Sequence, residues 1–375
     1  MIFVFIFSLL LSIFYSYLIF RIYLLWNKIT IEKLETNITQ NSISVIIAVR
    51  NEEENIIECL TSILNNDYPS EKYEVIIIDD HSNDDTREKI KSIRSDQIKL
   101  YSLTEDKFGK KAAITYGVNL ARYSLILCTD GDCMVGKNWL NTHNSFYSSG
   151  QNMMCTGIVL PANENSILSD FQYFDFSAIM AVSAYGITTG NFFLANGANI
   201  SYRKNVFDDL DGFSGNENIA SGDDLFLMHK LAQKRSDSIR FIASNQGAVI
   251  TKSEKSWSDL IEQRIRWASK SIETTDSNLK ALQAFVFIYN MVILGYFFCL
   301  IFSFSLMGLL SFAVVLSFKL ITDYFFLKII CDRFGRQIPI KSFFACFGIY
   351  FIHIICSGIV ALAPKFYLWK GRKVR

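Results

Sequence analysis

Charge is scarce in this chain of 375 residues: Asp, Glu, Lys and Arg make up 19% of it, against about a quarter in an ordinary soluble domain. What charge there is cancels, with 37 Lys and Arg against 36 Asp and Glu. The resulting net +1 gives no overall drive towards nucleic acid or acidic partners. Proline is equally sparse at 4, and beside 32 Phe and 17 Tyr this excludes a disordered or low-complexity chain. The 8 cysteines include no Cys-x-x-Cys pair, so there is neither a zinc pattern nor a secreted disulfide framework. Free thiols of a reducing compartment are expected. No repeat of about 20–50 residues is present, which excludes solenoids and propellers.

Half of the chain is hydrophobic, and that half is concentrated at the two ends. Residues 1–20 carry no charge and the apolar run continues to Trp26, enough for the roughly 20 residues a membrane helix needs. The run lacks the basic n-region and small-residue cleavage site of a signal peptide, so an uncleaved anchor over 1–26 is expected. Arg21, Lys28 and Lys33 on its C-terminal side place the adjoining domain in the cytoplasm. Residues 282–318 again lack charge, which suits two crossings with a tight turn near 302–305; a third apolar stretch covers 342–363. Residues 282–369 thus read as a membrane region of about three hydrophobic segments, with a basic tail at 370–375. Lys319 and Asp323 are spaced to pair on one helix face, but charge inside a membrane is costly and both are expected at the interface. Two signals conflict here. Three crossings after a cytoplasmic domain carry the tail outside, whereas Lys365, Lys370, Arg372, Lys373 and Arg375 favour the inside. Either one segment is re-entrant or interfacial, or the charge rule fails.

Between these ends, residues 30–280 read as one soluble domain. Strands are predicted at 42–49, 74–79, 97–103 and 124–129, alternating with helices at 52–64, 84–94 and 110–122. That alternation means βαβ units, an α/β class with a mostly parallel sheet and helices on both faces. Such sheets bind ligands outside the carboxyl ends of their strands. Acidic residues gather there: Val49-Arg50-Asn51-Glu52, Asp79-Asp80-His81-Ser82 and Asp130-Gly131-Asp132. Carboxylates held together at strand ends are costly unless they meet a cation or a donor-rich ligand. Two of them flanking a glycine grip a divalent ion while the backbone turns. A lone Asp-x-Asp is most often a turn; its place directly after a buried strand is what singles this one out. His81 fits a turn position pointing to solvent, His143 and His229 lack metal-ligand spacing, and His353 lies in an apolar helix. Cys128 and Cys133 read as small buried side chains. Residues 171–185, rich in aromatics but interrupted by charge, read as core ahead of an acceptor groove.

Seven segments in order then carry a resemblance: SVIIAVRNEEENI from Ser44, EVIIIDDHSNDDT from Glu74, GKKAAITYG from Gly109, TDGDC from Thr129, NGANISYRK from Asn196, SGDDLFL from Ser221 and QRIRW from Gln263. Together they resemble the membrane-bound branch of the family 2 inverting glycosyltransferases, over about residues 42–267, with hydrophobic helices on both sides as in that branch. The resemblance implies the Rossmann-like nucleotide-sugar fold called GT-A. It also implies metal-dependent, inverting transfer of a sugar from a nucleotide-diphosphate donor, UDP-linked, to a lipid or lipid-linked saccharide. The enzyme implied is a multi-pass membrane protein with its catalytic domain in the cytoplasm and no nucleic-acid partner.

Roles come from the same resemblance. Asp80, with Glu52 near it, meets the nucleoside; Lys110 at a helix start suits the nucleotide's phosphates or base; Asp130 orients the ribose or donor sugar. Asp132 is the ligand of a Mg²⁺ or Mn²⁺ that bridges the diphosphate, and Asp224 is the base that takes the acceptor's proton. Asp223 stands where that branch usually has Glu, and is assigned with Gln263 and Trp267 to the acceptor side. Trp267 makes a flat floor for the acceptor, and Arg266 reaches the diphosphate with a planar fork. Two other readings stay open. One is a processive polysaccharide synthase, in which Q-x-x-R-W is common. The other is a non-catalytic assembly subunit of the same fold, against which the intact Asp130, Asp132, Asp224 and QRIRW speak. A phosphoryl-transfer module would need neither QRIRW nor two hydrophobic flanks.

Overall fold

Strands rich in Ile and Val are what a sheet covered by helices on both faces demands. A computed structural model describes residues 2–29, 39–148, 150–215, 223–273, 276–361, 367–369 and 372–374. The chain divides into two compact units. One, the α/β unit, comprises Thr30–Ala162, Gly186–Ser253 and Lys365–Arg375; the other, helical, comprises Met1–Ile29, Asn163–Tyr185 and Glu254–Pro364.

Helix α1 (Ile2–Lys28) opens the helical unit, and the α/β unit comes after it in sequence. Its first half alternates strictly: β1 (Ile43–Val49), α2 (Ile56–Leu64), β2 (Tyr73–Asp79), α3 (Thr86–Ser92), β3 (Ile98–Ser102), α4 (Gly109–Leu120) and β4 (Leu125–Asp130). Then come β5 (Cys133–Val135), α5 (Trp139–Tyr147), β6 (Met154–Gly157) and β7 (Val159–Pro161). Helix α6 (Ile167–Thr189) leads on to β8 (Ile200–Arg203), α7 (Lys204–Asp209), α8 (Asp223–Arg235), β9 (Ile239–Ile242) and β10 (Val249–Thr251). The main sheet has the order β3-β2-β1-β4-β8-β6-β9. β1 to β4 are mutually parallel, β8 runs antiparallel to both neighbours, and β5, β10 and β7 form a small second sheet.

The four predicted strands and three predicted helices are therefore present, each shifted by a few residues at its ends. The chain leaves β1 towards β2 and β3 on one side and returns to β4 on the other, so the strand order reverses at β1 and β4. Ligands of open α/β sheets sit at the carboxyl end of such a reversal. Register aligns the acidic ends there, with Asp79 opposite Val49 and Asp130 opposite Ala48. At the other end of the sheet, buried Glu74 accepts from Ser44 Oγ at 2.7 Å, from the Arg122 N–H at 2.8 Å and from Lys99 Nζ at 2.7 Å. Burial alone would raise its pKa; these donors outweigh burial and hold the carboxyl below its ordinary value.

The helical unit contains α1, most of α6, α9 (Trp257–Glu273), α10 (Ser277–Phe302), α11 (Leu306–Arg333) and α12 (Ile340–Ala361). Four of its segments, Phe3–Lys28, Ser277–Phe302, Leu306–Arg333 and Ile340–Gly358, are long and apolar enough to cross a membrane. The turn between α10 and α11 falls at 303–305, where it is predicted. Exposed Phe3, Phe7, Leu10, Phe297 and Phe302 clothe these helices in apolar side chains, while a polar seam runs inside. Ser8 Oγ meets Tyr296 OH at 2.8 Å, Tyr289 OH donates to Ser12 Oγ at 3.1 Å, and Ser16 Oγ meets Thr322 Oγ1 at 2.8 Å.

Lys319 and Asp323 make the pair that their spacing allows. Lys319 is fully buried, 2.7 Å from Asp323 and with its ammonium over the rings of Tyr15 and Tyr350. Tyr15 OH donates to the same Asp323. Neighbouring helices supply the partners that a buried ion pair needs. Arg333 donates to the carbonyls of Trp26 and Ile29 and lies over the Trp26 ring, so a cation closes the C-terminal end of α1. Residues 171–185 form part of the long helix α6, whose Asp170 pairs with Arg336 and whose Asp175 pairs with Arg264. The tail residues 367–369 and 372–374 form a short antiparallel hairpin, β11 (Tyr367–Trp369) with β12 (Arg372–Val374); Lys365, Lys370 and Arg375 lie outside the described residues.

Candidate active site

Three strand ends and two helix starts bring six of the expected residues together in the α/β unit. Lys110, in the first turn of α4, points its ammonium at Asp130, 2.6 Å away at the end of β4. Asp224, at the start of α8, accepts from the Gly197 N–H at 2.6 Å through Oδ2 and from the Leu225 N–H at 2.8 Å through Oδ1. Gly197 stands between the two groups. A Cβ there would lie 3.1 Å from Lys110 Nζ and 3.3 Å from Asp224 Oδ2, so a side chain at 197 would crowd both. On the other side of Asp130, Gly131 leaves room for Glu52: a Cβ at 131 would lie 3.0 Å from Glu52 Cγ. Asp80 joins the group through the backbone before Lys110, its Oδ2 accepting from the Gly109 N–H at 3.0 Å.

Asp130, Asp132 and Cys133 can bring one ligand atom each within 4.8 Å of one another. Burial, reinforced by Asp132 and Asp130, pushes the Cys133 thiol well up, and burial does the same to Cys59 beside them. A sulfur suits a hard divalent ion poorly, so the oxygen atoms of Asp130 and Asp132 are what this cluster offers such a cation. Two carboxylates suit a hard divalent ion such as Mg²⁺ or Mn²⁺, which takes the rest of its shell from water and substrate phosphates.

The loops beneath are fixed by a mesh of short bonds. Arg50 Nη1 donates to the carbonyls of Asp80 and His81 at 2.6 and 2.9 Å. Asn51 Oδ1 accepts from the Asn83 N–H at 2.9 Å, and the Glu52 N–H donates to Thr86 Oγ1 at 2.7 Å. Asn199 anchors the strand after Gly197 with a full set of bonds. Its amide NH₂ donates to the carbonyls of Ile158 and Gly247, and its oxygen accepts from Trp139 Nε1 and from His143 Nε2. His143 is thus a core residue; burial pushes its pKa down to about 4.

Gln263, Arg266 and Trp267 lie on α9, in the helical unit. Gln263 Nε2 donates to Glu254 Oε1 at 2.7 Å, and Trp267 meets the Phe176 ring edge-on at 5.2 Å. Burial raises the Glu254 carboxyl above its ordinary pKa. The QRIRW segment also holds Arg264, to which the sequence alone assigns no role. It is buried, 2.6 Å from Asp175, with its guanidinium 4.2 Å over the Trp267 ring. Only this packing singles it out, since it falls on an unspecified position of Q-x-x-R-W. Ser221, Gly222 and the side chain of Asp223 lie outside the described residues.

His81 also departs from its expected place. It is not turned to solvent: Nδ1 lies 3.1 Å from Asp80 Oδ1 and the ring stacks on Phe108 at 4.7 Å. A carboxylate and an aromatic face take the place of water around the imidazole.

Residues 44–210 match the model of the glycosyl transferase family 2. A glycosyltransferase of Haloferax volcanii, AglE, is 31% identical over 182 residues, 48% of this chain and 58% of that one. The poly-beta-1,6-N-acetyl-D-glucosamine synthase of Staphylococcus aureus is 28% identical over 152 residues, 40% of this chain and 36% of that one. The chain thus matches little more than half of the first relative's length and about a third of the second's. Among solved structures, the mannosyltransferase PcManGT of Pyrobaculum calidifontis, solved with GDP-Man and Mn²⁺, superposes with a TM-score of 0.61 at 16% identity over 95% of both chains. That likeness speaks for the fold. The sheet order, the acidic strand ends and this likeness agree on a GT-A architecture, within which residues 44–210 match the glycosyl transferase family 2.

Proposed function

We propose that this chain is a membrane-bound, metal-dependent inverting glycosyltransferase that moves a sugar from a UDP-linked donor to a lipid or lipid-linked saccharide at the cytoplasmic face. The observation that carries the reading is the convergence of Lys110, Asp130 and Asp224 around Gly197, with the Asp132 carboxylate beside them. In this reading Lys110 holds the donor's phosphates and Asp130 its ribose or sugar. Asp224 takes the proton of the acceptor hydroxyl as that oxygen bonds to the sugar's C1 from the face opposite the departing diphosphate. Asp132, with Asp130 beside it, would hold Mg²⁺ or Mn²⁺, which would supply positive charge to the leaving diphosphate. The backbone N–H groups on Asp224 fix its direction, so the base is aimed before the acceptor arrives.

Gln263, Arg266 and Trp267 serve the acceptor and the diphosphate, and Arg264 steadies the Trp267 ring beneath. The four apolar helices support a multi-pass membrane protein. The named activity of the staphylococcal relative supports a second reading, a processive polysaccharide synthase. Purified chain in detergent, offered a panel of nucleotide sugars with Mn²⁺ or Mg²⁺, is expected to release UDP from one donor when membrane lipid is present. Product size on a gel separates one added sugar from a polymer. No nucleotide release from any donor with any acceptor pool overturns the reading and favours a non-catalytic subunit.

A further inference from the structure

Asp80 is meant to receive a nucleoside, yet it is covered. It is 1% exposed, Oδ2 accepts from the Gly109 N–H, and Oδ1 faces His81 Nδ1 at 3.1 Å. A ring nitrogen facing a carboxylate is its donor. The imidazole lies on the ring of Phe108, 29° from parallel, and Phe108 as a residue is still 54% exposed. A flat heterocycle that stacks on an aromatic face and donates a ring N–H to a carboxylate does what a nucleobase does in a binding slot.

We infer that His81 is an internal stand-in for the donor's base, and that a nucleotide binds by turning its imidazole out and laying the base between Phe108 and Asp80. The inference rests on the donor reading above and goes beyond it by locating the base slot and its occupant. The resting position of His81 is an uneasy one. Its backbone is left-handed at φ 57°, a region that favours glycine, and its Nε2 is buried without a hydrogen-bond partner. Rotation of the side chain into water gives Nε2 a partner. The backbone does not have to move with it, because Arg50 clamps the carbonyls of residues 80 and 81 and Ser82 N–H is held by Asp79. The slot is therefore opened by a side-chain torsion on a fixed loop. An imidazole is one ring wide, so the slot it leaves fits a pyrimidine better than a fused purine.

The test uses full-length protein in detergent with ¹³C-labelled histidine. UDP and GDP, each with Mn²⁺, are the probes, and the His81 signal is identified by its loss in His81→Ala. On saturation with UDP the His81 ring resonance is expected to leave the ring-current field of Phe108, with GDP binding more weakly. His81→Ala and His81→Gly are expected to bind UDP about three- to tenfold tighter, since the internal competitor is gone, and Phe108→Ala about tenfold weaker, as befits one lost stacking contact. Saturation by UDP with the His81 signal unmoved, or weaker binding by both His81 variants, overturns the inference and leaves the donor reading intact. Binding of neither nucleotide by the parent or the variants overturns both. Tight binding by the His81 variants alone supports the stand-in.

Discussion

Asp224 is aimed by its neighbours, because the N–H groups of Gly197 and Leu225 each hold one of its oxygens. An amide in its place keeps the size and loses the basicity. Asp224→Asn is expected to leave UDP binding within a few-fold of the parent while turnover falls by about 10²–10⁴, the usual worth of a general base. Single-turnover rates beside calorimetric UDP affinities check this; activity within a few-fold of the parent removes Asp224 from the role. Asp132→Ala tests a different part of the site. Mn²⁺ is expected to tighten UDP binding to the parent and to leave the variant's affinity unchanged, since the carboxylate that would hold the ion is lost. A metal effect of undiminished size in the variant points to other ligands. Both residues were legible as strand-end or helix-start carboxylates within motifs. Gly197 and Asn199 were visible only as letters of NGANISYRK, because what matters about them, room for two side chains and four buried hydrogen bonds, depends on elements far apart in sequence.

At the level of elements, β1, β2 and β4 were legible because 6- or 7-residue buried runs bounded by turn residues leave a clear pattern. β6, β8, β9 and β10 were not read from the sequence. They are 3 or 4 residues long, too short for a period to show, and their pairing is set by the sheet they join. α6 was seen as an aromatic stretch and not as a 23-residue helix, because its two acids looked like interruptions; Arg264 and Arg336 are the partners that make them tolerable. The α5–β8 junction supplies an element-scale prediction. His143 is buried neutral, its folded pKa of about 4 lying below the roughly 6.5 of an unfolded histidine. A depressed histidine pKa means that the unfolded chain binds the extra proton first, so stability is lost as pH falls from about 6.5 towards 4. By pH 5 the loss is on the order of 2 kcal/mol. Thermal unfolding of parent and His143→Gln at pH 7 and pH 5 is expected to show a larger drop in Tm for the parent. Equal drops in both remove His143 as the source.

For the molecule as a whole, the prediction concerns the acceptor. QRIRW ends about ten residues before the first of three apolar helices that succeed one another with short turns. A helix bearing the proposed acceptor floor so near a helix apolar enough to cross a membrane favours substrates that travel in a membrane. Extracted membrane lipids and water-soluble saccharides, offered separately with labelled donor, are expected to give label in the lipid pool; label in the soluble pool alone sinks the proposal. The flanking helices were legible from uncharged runs. Their interior was not, since hydropathy counts Ser8, Ser12 and Ser16 as blemishes, whereas packing makes them the contacts that hold α1 to α10 and α11.

That seam has a consequence for the order in which the molecule is built. The partners of Ser8, Ser12 and Tyr15 lie 288, 277 and 308 residues further along the chain. At ribosomal speeds of about 5–20 residues per second, α1 waits roughly 15–60 seconds for them. Its serines are provided for in the interval: Ser8 Oγ donates to the Val4 carbonyl at 2.9 Å and Ser12 Oγ to the Ser8 carbonyl at 2.8 Å, bonds a lone helix makes for itself. Tyr15 has no such local substitute among its described bonds; its acceptor, Asp323, arrives with α11, as does the buried Lys319. Helix α1 is thus made early and locked late, and a nascent chain halted before α10 leaves it without any of these partners, a solitary rod free to turn.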